Sequence, residues 1–428
     1  MKLAFSLLLG LYLALTPRPS PAWAAGEGSS GPGSPSPSME RGPGGEVHDA
    51  GPGRAVRWYA IPNVGYDSDD GLGFGARAEV ALDEPGYTPY HSAYVVHAFL
   101  TTRGYHHHRF RFDRTGLGPD GRLRVTLHVA WRQWLNDGYW GLGDRTAREP
   151  DPTAKRYRYS LFQPFVHLTL RARLDGPWQA FASLNVKWSA VRTYAGSLLA
   201  EQRPYGLDGG LAAILSAGVL YDTRQPELAP HRGVLVELSG RGTPPLPRGA
   251  GAFGGPFAAL RGFVELAPWC VLGGRAMVEY LWGNVPFYEM VHWGGAIPVA
   301  GFGGADTLRG ALFGRWHAPG KALANLEVRF DVLTHGLAGK PFVWQLVPFV
   351  DAGVVFGPSP SLAAGAAALP TGGWPVHPSA GLGLHVVYAD AFVGRIDAGV
   401  SPDPRQRADG RVVDELAWGV YVVFDQTF

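Results

Sequence analysis

The sequence has 428 residues, 17% of them charged, 60 glycines and a formal charge of +2. Charged residues are scarcer and glycine richer than in an ordinary soluble domain, and the near balance of 38 basic to 36 acidic residues speaks against nucleic acid as a partner. The single cysteine, Cys270, excludes an intramolecular disulfide framework and a multi-cysteine metal site, and past the N-terminal stretch no apolar run is long enough for a membrane-spanning helix.

The N-terminus has the form of an export signal over residues 1–24. Lys2 supplies the positive start, Leu3 to Leu15 the apolar stretch, and Ala22-Trp23-Ala24 the small-residue cleavage pattern. Residues 25–54 are dominated by Gly, Pro and Ser and have almost nothing to bury, so a flexible periplasmic tether is expected there.

From residue 55 onward the apolar period is two. Leu123, Val125, Leu127, Val129 and Trp131 alternate with Arg122, Arg124, Thr126 and His128. Trp178 to Trp188 repeats the pattern, and Leu326, Val328, Phe330 and Val332 alternate with Asn325, Glu327, Arg329 and Asp331. Such strands have one apolar and one polar face. A soluble sandwich also alternates, but three features favour a membrane barrel. The polar faces are heavily charged on long strands. Aromatics cluster near strand ends, as girdles do (Trp58, Tyr59, Trp131, Trp134, Trp140, Trp178, Trp188, Trp282, Trp293, Trp316). The exported chain also ends on an alternating strand, Leu416, Trp418, Val420, Val422, Phe424 and Phe428, with the terminal aromatic that serves bacterial outer-membrane barrels as an assembly signal.

The fold class expected is therefore all-β, a closed antiparallel transmembrane β-barrel of about 16 strands over residues 55–428. A lipid-facing Arg or Lys at the midplane costs about 2–4 kcal/mol, so Arg122, Arg124, Lys187, Glu327, Arg329 and Asp331 should face the lumen. The strands begin near Val56, Gly71, Ala93, Tyr105, Arg122, Arg158, Trp178, Gly210, Val234, Phe257, Val271, Ala322, Phe342, Ser379, Ala391 and Leu416. An even count leaves both ends on the periplasmic side and makes the segment from Trp282 to Lys321 an extracellular loop. Its centre, Gly301 to Trp316, is glycine-rich and carries Leu308-Arg309-Gly310. It is far longer than the few residues that usually join strands.

With the strands placed, the chain resembles the barrel domain of BamA/TamA-like outer-membrane proteins, the insertase and translocase superfamily also called bacterial surface antigens. The residues that carry the resemblance are Pro62–Gly75, Gly138–Asp144, Tyr221–Gly233, Thr307–Gly310, Asn325–Asp331, Pro348–Gly353 and the Phe428 end. It implies that the sixth extracellular loop folds into the lumen and that Arg309 of a Leu308-Arg309-Gly310 latch meets Asp351. Strand parity agrees, because Gln345, Asp351 and Gly353 share the face opposite Trp344, Leu346 and Val350. Ala311 stands where the family motif has an aromatic. Residues 25–54 are too short and too polar for the family's periplasmic POTRA repeats, so a barrel without them is expected.

The remaining motifs read blandly. His106 and His108 share the face of Phe110 and Phe112 while His107 faces the other way, so the three are split across the wall and no joint metal site is expected. Asp67 to Gly71 makes an acidic turn, and Asp222-Thr223-Arg224 a structured one. No hydrolase elbow, phosphate loop or zinc-protease motif occurs, and His91, His292 and Asp306 have no partner set, so neither catalysis nor a cofactor is expected.

The function expected is assistance in outer-membrane protein assembly or in translocation of a substrate. The seam between the strand from Val56 and the strand from Leu416 would open toward lipid, and an incoming strand would pair with the exposed edge. Glu327, Arg329, Asp331, Arg395 and Asp397 form the expected lumenal charge network. The alternative is a passive solute channel or surface-structural barrel. The expected partners are outer-membrane lipid, the barrel assembly machinery during biogenesis and a periplasmic protein, with the barrel itself a monomer in the bacterial outer membrane.

Overall fold

The computed structural model describes residues 48–49, 53–423 and 428, apart from 68–69, 88–89, 119, 145, 151, 227–228, 338–339, 358–374 and 389–391. The expected export signal, nearly all of the expected tether, Ser68, Asp69 and Phe424 lie outside these residues.

Sixteen antiparallel strands follow one another and close into a barrel. They are β1 (Ala55–Asp67), β2 (Gly71–Asp83), β3 (Ser92–Thr101), β4 (Tyr105–Leu117), β5 (Leu123–Gly138), β6 (Arg158–Phe162, resuming as Phe165–Arg173), β7 (Trp178–Thr193) and β8 (Gly210–Asp222). The second half comprises β9 (Gly233–Thr243), β10 (Phe253–Ala267), β11 (Cys270–Tyr280), β12 (Gly320–Leu337), β13 (Lys340–Phe356), β14 (His377–Tyr388), β15 (Phe392–Gln406) and β16 (Val412–Val423). Among the described residues one short α-helix, α1 (Leu198–Gln202), lies between β7 and β8. The turns at one rim are short, whereas the other rim carries residues 139–157 between β5 and β6 and residues 281–319 between β11 and β12.

Alternation produces this wall directly. Val96, Leu238, Leu260, Leu326, Leu416 and Trp418 are exposed on the outer face, while His97, Glu237, Arg261 and Glu327, next in chain to the first four, face inward, as does Tyr421 further along the strand of Trp418. Period-two alternation fails locally in β12. The register with β13 shifts between Asp331 and Leu333, and consecutive Val332 and Leu333 are both exposed, the signature of a bulge.

Two expectations are corrected here. Trp134, Trp140, Trp293 and Trp316 are not girdle residues: all four are buried. Trp134 sits on the inward parity of β5, and Trp293 and Trp316 belong to the 281–319 loop, whose apolar residues bury against one another. Arg122 does not face the lumen either. It precedes β5 and pairs with Asp175 in the neighbouring short turn, in the open. By contrast Arg124 and Lys187 do point inward, onto Asp113 and Glu289.

The core lies inside the barrel at the long-loop end. One apolar cluster joins Tyr139, Tyr159, Leu161, Leu199, Ile214 and Phe253 to Val285, Phe287 and Met290 of the loop. A second joins Phe257, Met277, Leu323 and Val355 of the wall to Trp293, Phe302, Leu308 and Trp316. Burial of this many large side chains, each contributing about 1.5–3 kcal/mol, holds the long loop against the inward-facing residues of the wall.

Candidate functional site

The site begins with Arg309 at the tip of the loop. Its side chain is fully buried. Its backbone N–H and Nε donate to Asp351 Oδ2 (3.1 and 3.0 Å), and Nη2 donates to Oδ1 (2.9 Å). Nη1 donates to Glu327 Oε2 at 3.1 Å and lies 3.9 Å from Asp397 Oδ2. The guanidinium also sits 3.5 Å from the centre of the Phe349 ring. Burial alone would lower the Arg309 guanidinium, but Asp351, Glu327 and Asp397 outweigh it and hold the group above its ordinary value. A planar fork is suited to such bidentate pairing.

The carboxylates are themselves tied down. Asp351 accepts from Asn325 Nδ2 (2.7 Å) and Ser379 Oγ (3.2 Å), and Asn325 in turn donates to the Thr307 carbonyl and accepts from Arg275. Glu327 pairs with Arg329 at 2.8 Å, and Asp397 with Arg395 and His385. Arg395 also donates to the Ala305 carbonyl and pairs with Asp306. Arg275, Arg309, Arg329 and Arg395 are thus matched in number by Asp306, Glu327, Asp351 and Asp397, which lets the cluster persist out of water. Of the residues proposed from sequence, Glu327, Arg329, Arg395 and Asp397 come together around Arg309. Asp331 does not: it lies further toward the short-turn rim, where Gln345 donates to it.

Leu308 and Gly310 fix the tip on either side. Leu308 is buried in the second apolar cluster. Gly310 has φ +105°, and a Cβ there would stand 2.5 Å from the Val400 nitrogen and 2.6 Å from the Gly399 carbonyl carbon. Only glycine meets both conditions. The Gly310 N–H donates to the Tyr421 hydroxyl (3.1 Å), which donates to the Ala311 carbonyl (3.2 Å).

A second contact binds the end of the same loop. Arg315 Nε donates to Asp403 Oδ1 of β15 at 2.7 Å, and its Nη1 to Thr146 Oγ1 of the 139–157 loop, also at 2.7 Å. Arg148 reaches the other Asp403 oxygen (2.6 Å), and Gly143 N–H donates to the His317 carbonyl. Burial lowers the Arg315 guanidinium, with Asp403 opposing. His317 is pushed down to about 3 by burial and by Arg315 beside it.

The seam is the third part. Among the described residues β1 and β16 pair at only two positions, Asp67 with Tyr421 and Tyr66 with Val422. By contrast β1 and β2 pair along thirteen, from Ala55 to Asp67, and β15 and β16 along twelve, from Arg395 to Gln406. Val56 and Leu416 stand on these two strands but not across from each other: Val56 lies opposite Leu82 and His48, and Leu416 opposite Pro402. The strands are staggered, so pairing begins near the far end of β1. Phe428 also departs from the sequence reading. Its ring is buried against Phe263 and Val271, beneath Arg275, on the lumenal side rather than on the lipid face of the last strand.

Sequence reasoning missed Tyr421, Asn325, Arg275, Arg315 and Asp403. Arg315, inside the same glycine-rich segment as Arg309, was the one with a visible signal. Among the described residues no group of three or more His, Cys, Asp or Glu is placed to hold a metal ion.

Residues 145–400 match the sequence model of the Omp85 superfamily domain. Among solved structures, BamA from Haemophilus ducreyi lacking POTRA domains 1–3 is similar at 16% identity and a TM-score of 0.52, over 87% of this chain and 70% of that one. CdiB from Escherichia coli is similar at 12% identity and a TM-score of 0.53, over 85% of this chain and 62% of that one. At these identities the likeness shows the barrel fold. No curated protein matches the sequence.

Proposed function

Since the chain belongs to the Omp85 superfamily, and so to a family of outer-membrane barrels, we propose that it assists the insertion of outer-membrane proteins or the translocation of a polypeptide, without catalytic chemistry of its own. The observation that carries this reading is the two-position pairing between β1 and β16 among the described residues. Parting these described positions forfeits few backbone hydrogen bonds, and each freed edge offers unpaired N–H and C=O groups to an incoming strand. In lipid such groups must find partners, so an open seam captures a strand that supplies them. Arg309, with Leu308 and Gly310, acts as a latch that holds the loop against the wall at Asp351 of β13, with Gly310 against Tyr421 of the seam strand β16.

On the same reading, residues 1–24 direct export, residues 25–54 tether the barrel at the periplasmic rim, and the barrel works as a monomer in outer-membrane lipid with a periplasmic partner. The assembly machinery places it there during biogenesis. A urea-unfolded eight-stranded barrel protein mixed with liposomes tests this reading. Folding should be several-fold faster when the liposomes contain this protein. A rate equal to that of empty liposomes would overturn the proposal. The alternative, a passive channel, is tested by conductance in planar bilayers before and after deletion of residues 301–314. Steady conductance by the intact protein would favour it.

A further inference from the structure

Phe428 sits far from the strand that precedes it. β16 is paired along β15, yet the buried Phe428 ring meets β10 and β11, with β12 to β15 standing between. There three strands present inward residues in register. Phe263 of β10 stands opposite Gly273 of β11, and Gly273 opposite Glu327 of β12. One inward position toward the short-turn rim Val271 faces Arg329, and one toward the long-loop rim Arg275 faces Asn325. Gly273 makes the floor of a pocket. A Cβ there would stand 3.3 Å from Phe263 Cε1 and 3.6 Å from Phe428 Cε2, so its bare backbone leaves room for one ring. The Phe428 ring centre lies 6.1 Å from that of Phe263, at an interplanar angle of 29°, and 5.0 and 5.9 Å from the guanidinium carbons of Arg275 and Arg329.

Neither arginine depends on Phe428 for its place. Arg275 Nε and Nη2 donate to Asn325 Oδ1 at 2.9 and 2.8 Å, and Nη2 also to the Asp306 carbonyl at 2.5 Å. Arg329 Nε donates to Glu327 Oε1 at 2.8 Å. Both cations are compensated and oriented by the wall and the loop, so the pocket is formed whether or not a ring fills it. Phe428 supplies apolar surface and a π face. A guanidinium within about 6 Å of a ring centre is attracted to that face, so the pocket selects an aromatic over an aliphatic side chain. Phe428 belongs to no strand, so no backbone ladder ties it to β10 or β11, and contacts of one ring are modest enough to exchange.

We propose that this pocket binds an aromatic side chain of an incoming polypeptide, and that Phe428 fills it in the resting barrel as the chain's own stand-in. Phe428 follows β16, whose Tyr421 and Val422 pair with β1. An incoming aromatic residue that displaces Phe428 therefore frees the end of the seam strand as the polypeptide arrives. Glu327, which orients Arg329 at the pocket, also accepts from Arg309 at 3.1 Å, so the pocket and the loop tip share one carboxylate. The site rests on the reading that the barrel receives polypeptide, but binding is measured in detergent without the folding of any client, so the two can fail separately.

The probe is an amidated pentapeptide with the sequence of residues 424–428, alanine replacing Phe424 and 4-fluorophenylalanine replacing Phe428. Its fluorine resonance is titrated with the full chain in uncharged detergent. A tethered group competes at an effective concentration on the order of 1 mM, so the probe should bind the Phe428→Ala chain at least about tenfold more tightly than the unsubstituted chain. Adding Gly273→Leu, whose side chain fills the floor, should abolish that binding. An unlabelled peptide ending in leucine should compete about threefold less well than one ending in phenylalanine. A second measurement leaves the pocket intact. With 4-fluorophenylalanine built into the chain at position 428, excess unlabelled peptide ending in phenylalanine should move the resonance toward that of the free probe. Where Phe428→Ala does not fold, this shift decides alone: a moved line supports the site and an unmoved line overturns it. Failure of the probe to bind the folded Phe428→Ala chain also overturns the proposal, as does equal affinity for that chain and the unsubstituted one, or undiminished binding with Gly273→Leu.

Discussion

The Tyr421 hydroxyl accepts a hydrogen bond from the Gly310 N–H and returns one to the Ala311 carbonyl, at 3.1 and 3.2 Å. Among the described residues Tyr421 is also one of the two β16 residues registered with β1. One side chain therefore touches both the tip of the long loop and the closure of the barrel. Movement of β16 away from β1 must either carry the loop tip with it or break these two bonds.

Tyr421→Phe keeps the ring and removes the hydroxyl. It leaves the Gly310 N–H and Ala311 C=O buried without this partner, and a buried group so orphaned costs about 1–3 kcal/mol. The unfolding midpoint should fall, and protease cleavage within 301–314 should become faster. An unchanged cleavage rate would show that the hydroxyl does not hold the loop.

Gly310→Ala places a methyl group 2.5 Å from the Val400 nitrogen in a backbone with φ +105°. A non-glycine residue forced into such a conformation costs about 1–3 kcal/mol before the clash is relieved. Gly336→Ala, where nothing lies within 4 Å of the added atom, is the matched control. The heat stability of the barrel on gels should drop for the first and hold for the second.

Arg309→Ala strips the cation from Asp351 and Glu327, both buried. Removing one partner from a buried charge cluster costs about 3–5 kcal/mol. Arg309→Lys restores charge but lacks the planar fork whose Nε and Nη2 grip Asp351 bidentately while Nη1 reaches Glu327, so it should recover less than half of the loss in midpoint. Full recovery by lysine would mean that charge alone, not the forked geometry, holds the tip.

His317 gives the loop a pH dependence. Its pKa is about 3 in the folded chain, lowered by burial and Arg315, against about 6.5 when unfolded. A depressed pKa means that the neutral ring is favoured by folding. The stabilisation is complete above about pH 6.5 and is lost as the pH falls from there toward 3. His317→Asn should flatten the decline of the unfolding midpoint between pH 7 and 4. A decline as steep as that of the unsubstituted chain would remove His317 as its source.

The wall was legible in the chain because strand alternation is local: Leu326 and Leu416 face out, and Glu327 and Asp351 face in, from parity alone. Aromatic residues were harder to place. Trp58 and Trp178 are exposed on the outer face whereas Trp293 and Trp316 pack inside the loop, and a tryptophan count cannot tell a girdle from a core. The seam was also hidden. Its register depends on the stagger of the whole barrel, so Val56 and Leu416 mark the right strands but the wrong contacts, which fall at Tyr66 and Val422. Asp403, some ninety residues from Arg315, has no local mark at all.

The central claim is that the seam must open. Tyr66 and Val422 stand opposite each other across it, close enough for a disulfide between cysteines at these positions. In a Cys270→Ser background, Tyr66→Cys and Val422→Cys oxidised to completion should abolish the accelerated folding of an unfolded barrel protein in liposomes, and a reductant should restore it. Undiminished acceleration with the seam locked would contradict the account.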